Sequence, residues 1–138
     1  MAEYRHDVPL DIAEIPRLLD WVETCCSESG VGGDAPSKLG LALDEAVANV
    51  INYAFIGVAP PHRIAVVLEI GGDRVVAEVT DNGRPFDPSA ASEPDCATPL
   101  ENRDVGGLGI HLIRRVMDRV EYHRTGDENR LRLEKRRA

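Results

Sequence analysis

LALDEAVANVINYAF, Leu41 to Phe55, is the stretch on which the reading of this chain turns. At about 100° per residue, Leu39, Leu43, Ala46, Val47, Val50, Ile51 and Ala54 fall on one side of a helix. Glu45, Asn49 and Asn52 fall on the other. Steps of four and then three residues line these polar side chains up along the axis. A solvated face is the ordinary reason for a polar stripe. This one, however, is flanked by Ala42 and Ala48 rather than by lysine or arginine. Asparagine is also a poor mid-helix residue, because its amide competes for backbone hydrogen bonds. A carboxylate in such a stripe can accept a proton from an attacking hydroxyl. An amide oxygen one turn on, about 5.4 Å away, can ligate Mg2+, a hard cation that prefers oxygen.

On either side of this segment the chain divides into short elements. The helix is predicted from Asp34, a candidate N-cap with Pro36 in the first turn, to about Phe55, with Gly57 as its stop. Ahead of it, Ile12, Ile15, Leu18, Leu19, Val22 and Cys26 have helical spacing over Asp11 to Ser29. Glu3 to Val8 is a short opening strand. Ile64, Val66, Leu68 and Ile70 alternate, as do Val75, Ala77 and Val79, and Gly71-Gly72-Asp73 between them predicts a hairpin. Arg84 to Val105 carries four prolines and few large apolar residues. A loop of that length in a small domain is functional or disordered. Gly106 to Gly109 then opens a helix bearing Ile110, Ile113, Val116 and Met117. Strands follow at Val120 to Arg124 and Arg130 to Lys135, joined by Thr125 to Glu128. Strands and helices grouped in this way predict an α+β two-layer sandwich, its sheet mixed or mainly antiparallel, with three helices on one face.

Two further segments carry chemistry. Val79-Thr80-Asp81-Asn82-Gly83 ends a strand. Asp-Asn-Gly is a turn signal on its own, and it also offers a carboxylate acceptor for an adenine amino group. Gly83, lacking a Cβ, lets the backbone come close to a base. Gly106-Gly107-Leu108-Gly109 precedes an apolar helix, where free N–H groups and the dipole hold phosphate. It is not a dinucleotide fingerprint, since no strand leads directly into it. The chain has no GxxxxGK[ST] motif, and no HRD or DFG sequence of the eukaryotic protein kinases.

Composition bounds the rest. With 138 residues the chain is read as one domain, 1–138, and with 4% aromatic residues its core must be aliphatic. A net charge of -8 argues against a nucleic-acid surface. The basic run Lys135 to Arg137 reads as a solvated end. Cys25, Cys26 and Cys96 are odd in number and have no zinc spacing, which fits a reduced compartment. No apolar run approaches a membrane span and the N-terminus has no signal-peptide pattern, so a cytoplasmic address is expected and a membrane is not.

In order, Glu45…Asn49, Asp81-Asn82-Gly83 and Gly107-Leu108-Gly109 resemble the GHKL ATPases, the Bergerat fold of histidine kinases and gyrase. LALDEAVANVINYAF, VTDNGRPFDP and GGLGIHLIRRVMDRVEYHR look like the bacterial anti-sigma-factor serine kinases. The resemblance implies ATP and Mg2+ as cofactors. It makes Glu45 the general base, Asn49 the Mg2+ ligand and Asp81 the adenine acceptor. Gly83 would shape the adenine pocket, and Gly107, Leu108 and Gly109 would lie at the phosphates after an ATP lid at about 84–105. Asn52 and Asn129 would line the pocket, Asn129 standing in for the Gly-Thr pair that relatives carry on the last strand. Pro85 replaces a glycine of the lid hinge. The implied activity is transfer of the γ-phosphoryl group to a serine of an anti-sigma antagonist of the STAS type. A sigma factor is the further partner, and a homodimer is common in the family. The rival reading is a non-catalytic ATP-dependent module that sequesters a sigma factor or other regulator.

Overall fold

The computed structural model describes residues 2–85 and 105–137, the side chains of 105–110 excepted. The strands are β1 (Ala2–Asp7), β2 (Ile64–Ile70), β3 (Arg74–Asp81), β4 (Arg119–Thr125) and β5 (Glu128–Arg136). They form a sheet of order β1-β2-β3-β5-β4 in which every neighbouring pair is antiparallel. The helices are α1 (Ile15–Glu28), α2 (Ala35–Asn49) and α3 (Val105–Val116). The expected α+β two-layer sandwich is the observed architecture.

Strand alternation shows how the layers meet. Val66, Leu68, Val75, Ala77 and Leu133 point from one face of the sheet into the core, where Leu18, Val22, Leu39, Leu43 and Ile113 meet them. Each valine, leucine or isoleucine among them stabilises the fold by about 1.5–3 kcal/mol through burial. On α2 the buried positions are Ala35, Leu39, Ala42, Leu43, Ala46 and Val47, a run at helical spacing on a helix that packs against both α1 and α3. Ala42 is therefore part of the core and not a flank of the polar stripe. Cys25 and Cys26 are free and buried, as small apolar groups would be, and burial pushes both thiols above their ordinary range. Cys96 lies outside the described residues.

Several expected boundaries shift. Asp11 caps a 3-10 turn at Ile12–Glu14, its carboxylate accepting from Ala13 N at 2.9 Å, and α1 begins only after that turn. Asp34 does not cap α2 through its side chain. It is already helical, with its carbonyl accepting from Lys38 N and Ser37 Oγ and its carboxylate paired with Lys38 at 2.9 Å. The second helix stops being α-helical at Asn49 and continues to Ala54 as a π turn. The last hairpin turns on Gly126 and Asp127 alone, Gly126 having a φ of +60°. The basic end is not merely solvated. Arg137 donates to Gly71 O at 2.6 Å and to Ser29 O at 3.2 Å, which places a cation at the C-terminus of α1. Lys135 pairs with Asp118 at 3.6 Å.

Candidate nucleotide site

The best-defined part of the site lies where β3 and β5 end side by side. Their register sets Asp81 opposite Asn129, and these two are the buried polar side chains among the described residues. Asp81 Oδ1 accepts from Gly83 N at 2.8 Å and from Asn129 Nδ2 at 2.9 Å. Asn129 Nδ2 also donates to Arg84 O at 2.8 Å. Burial pushes the Asp81 carboxyl above the usual carboxylate range. The bonds from Asn129 and Gly83 and the nearby charge of Arg124 pull it part of the way back. The result is a carboxylate acceptor in a low-dielectric wall, which suits the reading of an amino group.

Gly83 is needed for a reason different from the expected one. A Cβ built on it would lie 2.5 Å from the carbonyl oxygen of Ala54 and 2.7 Å from that residue's Cβ. The next residue seals the same contact, Arg84 N donating to Ala54 O at 2.8 Å. The missing side chain thus lets the end of β3 press against the end of the π turn. Asn82 holds the other side of this loop, accepting from Arg63 N at 2.6 Å and donating to Pro61 O at 2.8 Å.

Glu45 and Asn49 lie on α2 with half-buried side chains, whereas Asn52 is exposed on the π turn. The α-helical register that aligned all three ends at Asn49, because a π turn rotates less per residue. Asn52 is therefore set apart from the other two. Among the described residues, neither Glu45 nor Asn49 is tied up in a side-chain hydrogen bond or ion pair. Nor do the described residues hold a group of three or more His, Cys, Asp or Glu side chains able to cage a metal. A Mg2+ here would take most of its oxygens from phosphate and water, with the Asn49 amide oxygen as a hard ligand of the right type.

The glycine run lies at the start of α3, which begins at Val105. The first four N–H groups of a helix have no intrahelical partner. Gly106 and Gly107 are among those four, and Leu108 and Gly109 are not. α3 packs against α2, so its N-terminal donors belong to the same layer as Glu45 and Asn49. His111 is half-buried on α3. Residues 86–104, which hold most of the lid expected at 84–105, lie outside the described residues.

Three residues of this region were not expected from sequence: Ala54, Tyr122 and Arg124. Arg124 Nη1 donates to Gly83 O at 2.7 Å and to Asn129 Oδ1 at 3.2 Å, and the Tyr122 hydroxyl donates to the same Oδ1. A two-residue turn at Gly126-Asp127 would have paired Arg124 with Asn129 by counting outward, as the strands do. Nothing in the sequence marks Ala54.

Residues 8–135 match the family model described as the histidine kinase-like ATPase domain. The chain belongs to that family. Among its relatives, the serine/threonine-protein kinase BtrW of Bordetella bronchiseptica is 34% identical over 117 residues, covering 83% of this chain and 80% of BtrW. The serine-protein kinase RsbW of Listeria monocytogenes is 32% identical over 101 residues. That match covers 70% of this chain and 64% of RsbW, so the chain spans less than two thirds of that relative. The fold is shared with the histidine kinase domain of the Erythrobacter litoralis EL346 blue-light activated histidine kinase. There the TM-score is 0.57 at 16% identity, covering 94% of this chain and 62% of that one. It is shared equally with the catalytic domain of histidine kinase ThkA, with a TM-score of 0.57 at 14% identity and coverage of 99% and 97%. The protein is thus a GHKL-type ATPase of the serine-kinase branch. Among the described residues no helix is long and apolar enough to cross a membrane.

Proposed function

We propose that residues 1–138 act as one ATP-dependent protein serine kinase domain, with a lid at about 84–105. In this reading a serine of a STAS-type anti-sigma antagonist receives the γ-phosphoryl group, and a sigma factor is a second partner. Asp81 accepts from the adenine amino group, with Asn129 and Gly83 shaping its wall. Asn49 ligates Mg2+, which supplies charge neutralisation on the phosphates when bound. Gly107, with Leu108 beside it, offers backbone donors to the phosphates. Gly109 keeps the helix slim behind them, and Asn52 contributes at the exposed rim. Glu45 takes the proton from the serine hydroxyl. Catalysis in this reading is mostly positioning and electrostatic stabilisation of the transferring group.

The observation that carries it is the buried Asp81–Asn129 pair, an acceptor built into the sheet end beside the α2 layer that holds Glu45 and Asn49. The test is to incubate the protein with labelled Mg-ATP and purified STAS-domain proteins and to score phosphoserine. Transfer to one of them that depends on Glu45 is expected. ATP binding without any transfer would favour the sequestering module instead.

A further inference from the structure

Asp81 has two carboxylate oxygens, and its contacts with described residues divide them unequally. Gly83 N and Asn129 Nδ2 both donate to Oδ1. No described residue donates to Oδ2. Which oxygen is left over depends on Gly83 N and on Asn129, and the orientation of Asn129 is itself imposed. An asparagine amide can be turned end for end at little cost unless its neighbours distinguish oxygen from nitrogen. Here they do. The Tyr122 hydroxyl and Arg124 Nη1 both donate to Asn129 Oδ1, so the amide nitrogen must face Asp81 Oδ1 and the carbonyl of Arg84. Arginine has no acceptor in any orientation, so a flipped amide would set N–H against N–H. The guanidinium is anchored twice more, by Nη1 on Gly83 O at 2.7 Å and by Nε on Gly126 O at 3.1 Å. It therefore fastens the hairpin turn, the loop after β3 and the Asn129 side chain into one unit.

We propose that Arg124 and Tyr122 are positioning residues that act through Asn129 to keep Asp81 Oδ2 free as the acceptor for a 6-amino purine. They thereby set the preference of the site for adenine over purines lacking that amino group. The proposal rests on the adenine role of Asp81 given above. Neither residue need touch the nucleotide. Each acts two bonds away, by deciding which way an amide points.

The test compares dissociation constants for Mg-ATP and for the Mg complex of purine riboside triphosphate, which lacks only the 6-amino group. These are measured for the parent, Arg124→Met and Tyr122→Phe. The parent should prefer ATP. In Arg124→Met the ATP preference should fall about tenfold, the order expected for one hydrogen bond to a charged group, with the analogue's affinity nearly unchanged. Tyr122→Phe should shift the preference in the same direction by less, and it carries the test alone if Arg124→Met does not fold. An equal loss for both nucleotides, or an unchanged preference in the folded variants, overturns the proposal and leaves the adenine role of Asp81 standing. A parent with no preference between the two nucleotides overturns that role, and the proposal with it.

Discussion

The two ends of the site are built differently. At the adenine end, Asp81 and Asn129 are buried, their hydrogen bonds are made within the protein, and Gly83 is locked against Ala54. At the phosphate end, Glu45 and Asn49 are half-buried on α2 and are not engaged by the described side chains. The first end is preorganised and can select a base before anything else happens. The second offers uncommitted groups whose work begins only with a triphosphate and an acceptor hydroxyl in place. Binding and chemistry should therefore separate under mutation, with stability following the first end and turnover the second.

The sharpest way to break this contrast is Glu45→Ala. Phosphotransfer should fall by about 10²–10⁴-fold, the usual worth of a positioned base, while ATP affinity and melting temperature stay near the parent's. Normal transfer by this variant would remove Glu45 from the chemistry. Gly83→Ala should do the opposite. A methyl group 2.5 Å from the Ala54 carbonyl forces the loop and the π turn apart, at a cost of about 1–3 kcal/mol. Thermal denaturation should show the loss, and a parent-like melting curve would mean that the contact relaxes freely.

Asp81→Asn tests both properties at the same residue. Because burial raises the folded carboxyl, Asp81 contributes its full stability below its unfolded pKa and loses it as pH rises through the raised folded value. Asparagine still offers an oxygen to Gly83 and Asn129 but carries no charge. The variant should melt no lower than the parent at pH 7. Its ATP affinity should nevertheless fall by about tenfold or more, since a charged acceptor worth about 1.5–3 kcal/mol is gone. Calorimetry with and without nucleotide separates the two effects, and undiminished ATP affinity would end the acceptor role. The smallest effect is expected far from the site. Arg137→Ala removes the cation at the end of α1 and should cost about 1 kcal/mol. ATP affinity should not change, and a change would show that the site is coupled to the opposite end of the sheet.

Much of this was legible in the chain. A 3.6-residue period through Leu39, Leu43 and Val47, and a two-residue period through Val66, Leu68, Val75 and Ala77, specify helix and hairpin because each element must bury one face. Asp81 and Asn129 were readable as a turn aspartate and a substitute for a missing Gly-Thr pair. Asn52 was misaligned because a projection at 100° assumes an unbroken α-helix, and the π turn breaks it. The glycine run Gly106 to Gly109 was legible as the opening of a helix, and α3 begins one residue before it at Val105.

By itself, then, the sequence determined the elements, their amphipathic faces and the order of the chemical groups along the chain, since these depend on near neighbours. Only the tertiary structure decided why Gly83 must be glycine, which carboxylate oxygen Asp81 leaves free, and that Arg137 closes the end of α1. Those answers come from partners 41 residues apart for Arg124 and Gly83 and 108 apart for Arg137 and Ser29. No local period encodes such pairings. Those around Asp81 exist because β5 is inserted between β3 and β4, which brings the last strand alongside the end of β3 that carries Asp81.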